Sequence, residues 1–152
     1  MMPDIPLSLR PFRAADLDTL TAIDRVCFPP GIAYTRAELA GFINRRMART
    51  WVAEAGEEIV GFVVAARQEP QVAHVITIDV LEPWRRRKVG AKLMDAVEDW
   101  VRQQGLRLVH LETAEDNVAA QRFYLARGYV QIDTLKDYYA TGLDAWLMAK
   151  QL

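Results

Sequence analysis

The 152 residues contain a single cysteine, Cys27. An intramolecular disulfide is therefore impossible, and a cysteine-based metal centre is not expected. Histidine is almost as scarce. His74 and His110 stand without partners at ligand spacing, so no metal is expected. No sign of charge dominates: 19 Lys and Arg against 20 Asp and Glu leave a formal net charge of −1, which provides no global field to attract nucleic acid or an anionic membrane. No apolar run approaches the roughly 18 to 20 residues that span a bilayer. Met1 to Arg10 lacks the basic stretch followed by an apolar one that marks a signal peptide, so the expected location is the cytoplasm. Repeats, low-complexity tracts and Pro/Gly/Ser-rich linkers are missing. So are two familiar phosphate motifs, the Gly-Lys-Ser/Thr of a P-loop and the Gly-x-Gly-x-x-Gly of a dinucleotide fold.

What is present is a hydrophobic fraction of 51%, enough for residues 1–152 to form one domain with a core of its own. Leu7 to Pro11 reads as a strand. Asp16 to Cys27 reads as a helix with Leu17, Leu20, Ile23 and Cys27 on one side, ended by Pro29-Pro30-Gly31. A second helix starts near Thr35, where Thr35 and Glu38 have capping-box spacing. Thr50 to Ala55 and Ile59 to Arg67 form a hairpin around Gly56, and Ala73 to Val80 is a further strand. A helix from Val89 to Gln104 presents Val89, Leu93, Val97, Trp100 and Val101 on one face, with Lys92, Asp95, Glu98 and Asp99 opposite. Arg107 to Thr113 is a strand, Asn117 to Arg127 a helix, and Tyr129 to Lys136 with Asp144 to Lys150 a closing pair of strands. The order β-α-α-β-β-β-α-β-α-β-β contains one parallel crossover, from Ala73 to Thr113, in a largely antiparallel sheet. The fold class is α/β, an α+β mixed sheet.

The local positive charge falls where that crossover helix begins. Arg85-Arg86-Arg87-Lys88-Val89-Gly90-Ala91 joins a buried strand to an amphipathic helix. A helix N-terminus carries free N–H groups and partial positive charge, and a phosphate placed there is stabilised by both. Gly90 and Ala91 let the backbone approach a ligand closely, and the arginines add charge-assisted contacts suited to a pyrophosphate.

This segment resembles the acetyl-CoA loop of the GNAT N-acetyltransferase superfamily, Arg/Gln-x-x-Gly-x-Gly/Ala. Lys88 stands where the pattern has its first glycine; a lysine fits there at negative φ and adds a phosphate contact. A second segment, Leu111-Glu112-Thr113-Ala114-Glu115-Asp116-Asn117-Val118-Ala119-Ala120-Gln121-Arg122-Phe123-Tyr124-Leu125-Ala126-Arg127-Gly128-Tyr129, resembles the signature of the same superfamily and is most like the bacterial ribosomal-protein-alanine N-acetyltransferases. The resemblance implies a GNAT-like acyl-CoA N-acyltransferase fold and acetyl-CoA as co-substrate. It implies that the amides of Arg86 to Ala91 cradle the pyrophosphate, that the backbone of Ile78, Asp79 and Val80 holds the pantetheine arm, and that Asn117 and Tyr124 also contact acetyl-CoA.

The residues make chemical sense beside the resemblance. Alternation puts Leu108, His110 and Glu112 on one strand face. A carboxylate at the C-terminal end of a parallel strand lies where α/β sheets bind ligands. Acyl transfer from a thioester to an amine needs a base for the amine and donors for the developing charge. Glu112 fits the base and Tyr124 the acid, each role being worth about 10²- to 10⁴-fold. Asp79 is a rival base, and His110 is a candidate relay to Glu112. Cys27 reads as an apolar filler rather than a nucleophile.

Two loops, around Tyr34 and around Tyr138 and Tyr139, resemble those that flank a peptide N-terminus in the subgroup acting on protein α-amines. An α-amine has an ordinary pKa of about 7.7 to 8, against about 10.4 for lysine, so a carboxylate base has less to do with it. The expected acceptor is a protein or peptide N-terminus. A small-molecule amine and a non-catalytic acetyl-CoA sensor are the alternatives. The expected partners exclude nucleic acid and membrane, and the chain is expected to be a monomer or homodimer.

Overall fold

The computed structural model describes residues 5–152; the first four, part of the Met1–Arg10 stretch read above for a leader, lie outside the described residues. The chain runs β1 (Leu7–Pro11), a 3-10 turn (Ala14–Asp16), α1 (Leu17–Cys27), α2 (Arg36–Ile43), β2 (Ala48–Ala55), β3 (Glu58–Glu69), β4 (Val72–Val80), a second 3-10 turn (Glu82–Trp84), α3 (Val89–Gln103), β5 (Leu108–Ala114), α4 (Val118–Ala126), β6 (Val130–Leu135) and β7 (Ala145–Gln151). The element order is the one read from the sequence. The strands form one sheet in the order β1-β2-β3-β4-β5-β7-β6. Only β4 and β5 pair in parallel, with α3 as the crossover between them.

Helices cover both faces of the sheet. Leu20 and Ile23 of α1 and Leu39 of α2 pack on Val52, Phe62 and Val64. On the other face, Val89, Leu93, Val97 and Val101 of α3 and Tyr124 of α4 pack on Ala53, Val63, Ala65, Val75, Val109, Leu111 and Met148. Burying each large aliphatic side chain contributes about 1.5 to 3 kcal/mol. Thr35 caps α2 as expected: its hydroxyl accepts from Glu38 N at 3.1 Å, and Glu38 Oε1 accepts from Thr35 N at 3.0 Å.

One assignment from the helix pattern is corrected. Glu98 belongs to the buried side of α3, 4% exposed, not to its solvated face. Lys150 donates to it at 2.9 Å, Tyr129 Oη at 3.0 Å and Arg127 at 3.2 Å. These partners come from β7 and from beyond the end of α4, and helical periodicity cannot show them. Burial alone raises the Glu98 carboxyl, but Lys150, Tyr129 and Arg127 outweigh it and hold it below its ordinary value.

The feature that positions the site is the parting of β4 from β5. Their parallel ladder pairs Val72 with Leu108, Ala73 with Val109 and His74 with His110. Past those pairs, β4 continues to Val80 and β5 to Ala114 with no further pairing between them. Opposite the parting, β4 pairs with β3 through a bulge: Val64 pairs with Thr77 and Ala65 with Val75, so Ile76 is the extra residue. A bulge bends its strand and sharpens its twist. Gly61 of β3 lets the bent strand approach, since a Cβ there would stand 2.6 Å from the Asp79 carbonyl oxygen. The result is an open wedge lined by unpaired backbone groups of β4.

Candidate active site

Glu112 projects from β5 where the wedge opens. Alternation places it, His110 and Leu108 on the α1/α2 face of the sheet, opposite the buried Val109 and Leu111. Its nearest polar partner is one the sequence did not single out: His74 Nε2 lies 2.6 Å from Glu112 Oε2. Both side chains are 13% exposed, so the pair sits in a sheltered but reachable position.

His110 does not touch Glu112, which corrects the proposed relay. Its ring stacks on His74 with centroids 4.7 Å apart and planes within 6°, and its Nε2 pairs with Gln68 Oε1 at 2.9 Å. Burial and the neighbouring His74 lower its pKa, against an opposing pull from Glu112. The parallel register of β4 and β5 places the two histidines side by side. They therefore have the partners that sequence spacing did not reveal.

Three tyrosines surround Glu112. Tyr34 arrives from the α1–α2 loop, packed edge-on against Phe42 at 4.9 Å. Its backbone N–H donates to Asp24 Oδ2 at 2.7 Å, which ties the loop to α1. Tyr138 and Tyr139 arrive from the β6–β7 loop, with ring centroids 5.0 Å apart. Burial and the Glu112 carboxylate push the Tyr138 phenol up to about 12. Tyr34 and Tyr139 are raised further, by burial first and by Tyr138 next, with Glu112 adding to both. All three hydroxyls keep their protons at neutral pH. The two loops meet where a Cβ on Gly31 would stand 2.7 Å from Thr141 Cγ2. Between them lies a cavity of about 380 Å³ lined by Pro29, Pro30, Ile32, Asp116, Thr141, Gly142 and Leu143.

Asp79 is not placed as a base. It is 1% exposed and points towards α1, where Thr77 Oγ1 donates to it at 2.7 Å and Asp24 faces it. Burial, followed by the Asp24 carboxyl, holds its pKa well above the carboxylate range. Asp79 Oδ2 and Asp24 Oδ1 have no other donor, and one proton held between the two carboxyls satisfies both. A carboxyl that is buried against a second acid, with its pKa raised, is poorly placed to take a proton from an acceptor amine. Cys27 is equally unsuited to nucleophilic attack. Burial pushes its thiol up to about 11, and Sγ donates to the Val80 carbonyl at 3.5 Å.

The basic run forms an unusual turn. Lys88 adopts φ of 65° and Arg86 φ of 63°, both left-handed, so the negative φ expected for Lys88 is corrected. Among the described residues, no main-chain carbonyl accepts from the amides of residues 86–91; the first bonded donor is Lys92 N, to the Lys88 carbonyl at 3.0 Å. Alternation of right- and left-handed residues turns successive N–H groups into an anion-binding concavity. The side chains are partly committed elsewhere. Arg85 Nε donates to the Val80 carbonyl at 2.9 Å, and the Arg87 guanidinium lies over the Trp84 ring at 5.5 Å. Gly90 also has a packing reason to be small, because a Cβ there would stand 3.3 Å from the Phe123 ring.

Tyr124 is 4% exposed on the α3 face of the sheet, edge-on to Tyr129 at 5.6 Å. Burial and the nearby Asp79 raise its pKa. It therefore lies across the sheet from Glu112, with the wedge between them. Asn117 caps α4, its side chain accepting from Ala120 N at 3.1 Å. Gln121, which the sequence reading passed over, donates from Nε2 to the Ala114 and Glu115 carbonyls at 3.0 Å each and fixes the end of β5. No helix of the described residues is long and apolar enough to cross a membrane.

Comparison with known proteins identifies the family. The family model described as acetyltransferase (GNAT) family matches residues 17–129. An N-alpha-acetyltransferase of Sulfurisphaera tokodaii is 30% identical over 95% of this chain and 92% of its own length. The N-alpha-acetyltransferase RimI of Mycobacterium tuberculosis is 29% identical over 91% of this chain and 84% of its own. The crystal structure of Ard1 from Thermoplasma volcanium superposes with a TM-score of 0.89 at 28% identity, covering 96% of this chain and 97% of that one.

Proposed function

The chain belongs to the acetyltransferase (GNAT) family and is an N-acetyltransferase; from that premise we propose that it moves an acetyl group from acetyl-CoA to the α-amine of a protein or peptide N-terminus, with Glu112 in the base position and Tyr124 in the acid position. The observation that carries this reading is the surroundings of Glu112: a sheltered carboxylate at the mouth of the β4/β5 wedge, ringed by protonated tyrosines from two loops.

The residues present fit acetyl-CoA. The free amides of residues 86–91 and the left-handed turn suit its pyrophosphate, and the unpaired edge of β4 at Ile78 to Val80 suits the amides of its pantetheine arm. When bound there, the thioester would supply the acyl group at the wedge, where the sheet parts between β4 and β5. From one side Glu112 takes a proton from the attacking amine. From the other side Tyr124 presents its hydroxyl to the sulfur as the C–N bond forms, the C–S bond breaks and charge collects on the leaving atom. Because burial raises the Tyr124 pKa, full proton transfer to a thiolate is uphill. Its main contribution is then a hydrogen bond to the developing charge, worth about 1.5 to 3 kcal/mol. Solvent removes the proton left on Glu112 and supplies the one the thiol needs. Tyr34, Tyr138 and Tyr139 are the donors that orient the acceptor's backbone.

The α-amine reading also follows from proton chemistry. Near neutral pH an N-terminal amine is partly deprotonated, whereas a lysine amine needs about 2.5 further pKa units of assistance. Glu112→Gln removes the base and keeps the shape. It is expected to lower kcat by about 10²- to 10⁴-fold and leave acetyl-CoA affinity unchanged. Full turnover in this variant at every pH would take the base role from Glu112.

A further inference from the structure

We propose that His74, Glu112 and His110 form a binding site for a borderline divalent metal of the zinc class, and that metal bound there switches off acetyl transfer by occupying the base. The inhibitory half rests on the role given to Glu112 above; the binding half does not.

The three side chains offer one ligand atom each, and these atoms all lie within 4.8 Å of one another. Two imidazoles and a carboxylate are a zinc donor set, with the fourth position left for water. Imidazole also selects zinc, copper and nickel over magnesium and calcium. Metal–nitrogen distances near 2.0 Å place tetrahedral ligands about 3.3 Å apart, so the set must close by about 1.5 Å. Side-chain rotation supplies this without moving the strands, on which His74 and His110 are registered partners.

Gln68 of β3 prepares the two rings. Its Oε1 pairs with His110 Nε2 at 2.9 Å, so that nitrogen carries the hydrogen and His110 Nδ1 bears a free lone pair. His110 Nδ1 is buried and has no partner. The Gln68 Nε2 amide faces His74 Nδ1 at 3.4 Å, which leaves the His74 hydrogen on Nε2, in the 2.6 Å bond to Glu112. Since one amide group touches Nδ1 of one stacked ring and Nε2 of the other, the remaining nitrogens, His74 Nε2 and His110 Nδ1, fall on the same side of the stack, beside Glu112. A metal entering there displaces the proton held between His74 and Glu112 to solvent, one proton per ion, and bonds both freed atoms. Outer partners such as Gln68 commonly fix the rings of metal-binding histidines in this way. With Glu112 Oε2 bound to metal, the amine has no base.

The test uses the full chain and cobalt(II) or zinc(II) salts without substrate. Calorimetry in buffers of different ionisation enthalpy should give one ion and one released proton per chain. Cobalt(II) should develop visible bands of four-coordinate intensity that zinc(II) bleaches. His110→Asn, which keeps a small polar side chain there, should weaken binding by at least about 100-fold, since loss of a ligand exceeds the roughly 10- to 100-fold that loss of an outer partner costs. It should also acetylate at the wild-type rate while resisting zinc, with product read by mass spectrometry rather than by thiol release. His110→Gln serves as the second variant if the first is unstable. No saturable cobalt spectrum, or a His110→Asn protein that binds as tightly as wild type, would overturn the site. Normal metal binding in a protein that fails to acetylate peptides would refute the acceptor reading alone, and metal binding with unaltered turnover would refute the inhibition.

Discussion

Lys88 occupies a left-handed position that a glycine fills without cost, and this makes a stability test of the cofactor turn possible. At φ of 65° its Cβ crowds the following carbonyl, at a cost of about 1 to 2 kcal/mol. The side chain is exposed and, among the described residues, makes no hydrogen bond or ion pair, so replacing it removes little packing. Lys88→Gly relieves the strain but gives the unfolded chain about 0.5 to 1 kcal/mol of extra entropy. The net expectation is a gain of about 0.5 to 1 kcal/mol. At about 2.1 cal/mol/K per residue, a chain of this length converts that into a Tm about 2 to 3 °C higher. Lys88→Ala is the control, because alanine keeps the Cβ and its strain and should melt close to wild type. Differential scanning calorimetry of the three proteins without ligand isolates the backbone term. If Lys88→Gly melts no higher than Lys88→Ala, the turn does not hold this conformation and the concavity inferred for residues 86–91 fails with it. In the same variants acetyl-CoA affinity should fall by no more than about five-fold, the worth of one exposed charge.

Three further outcomes are expected. Tyr124→Phe should lower kcat by about 10- to 100-fold with acetyl-CoA affinity unchanged, the worth of one hydrogen bond to a developing charge; a normal kcat would remove the hydroxyl from the reaction. Glu98→Gln should cost about 2 to 3 kcal/mol in urea unfolding at pH 7, towards the low end for a broken buried pair because Arg127 and Lys150 retain some exposure. Since the Glu98 pKa is lowered on folding, this stabilisation is present above about pH 4.5 and is lost as pH falls further, so the variant should match wild type in strong acid. Asp79 has the opposite sign: folding raises its pKa, so its contribution is largest below about pH 3.8 and declines as pH rises towards the folded value. Asp79→Asn should therefore gain on wild type as pH rises above about 4; a constant difference would mean that Asp79 is ionised when buried.

Local chemistry was the part legible in the sequence. The capping box at Thr35, the Asn117 cap and the apolar stripe of α3 each depend on residues within a turn or two, and each is found where its spacing puts it. Glu112 was legible because strand alternation fixes its face. Its partner was not: His74 and Glu112 meet through the register of a parallel pair separated by a helix, and nothing within either strand specifies that register. Glu98 was misplaced for the same reason, as its two cations and one hydroxyl belong to distant elements. Asp79 was read as a rival base, yet only its burial against the Asp24 carboxyl shows that it is not placed as one. The left-handed φ of Lys88 follows from how β4 hands over to α3, a geometry that residue type alone predicts only when the residue is glycine.

The central claim is transfer to an N-terminal α-amine, and a matched pair of peptides tests it most directly. One carries a free N-terminus and no lysine; the other has the same sequence with a blocked N-terminus and one lysine. Each is incubated with the protein and acetyl-CoA near neutral pH, and the products are read by mass spectrometry. Acetylation of the first peptide and not the second is the predicted result. Acetylation of the lysine peptide alone, or of neither peptide while small amines are acetylated, would contradict it.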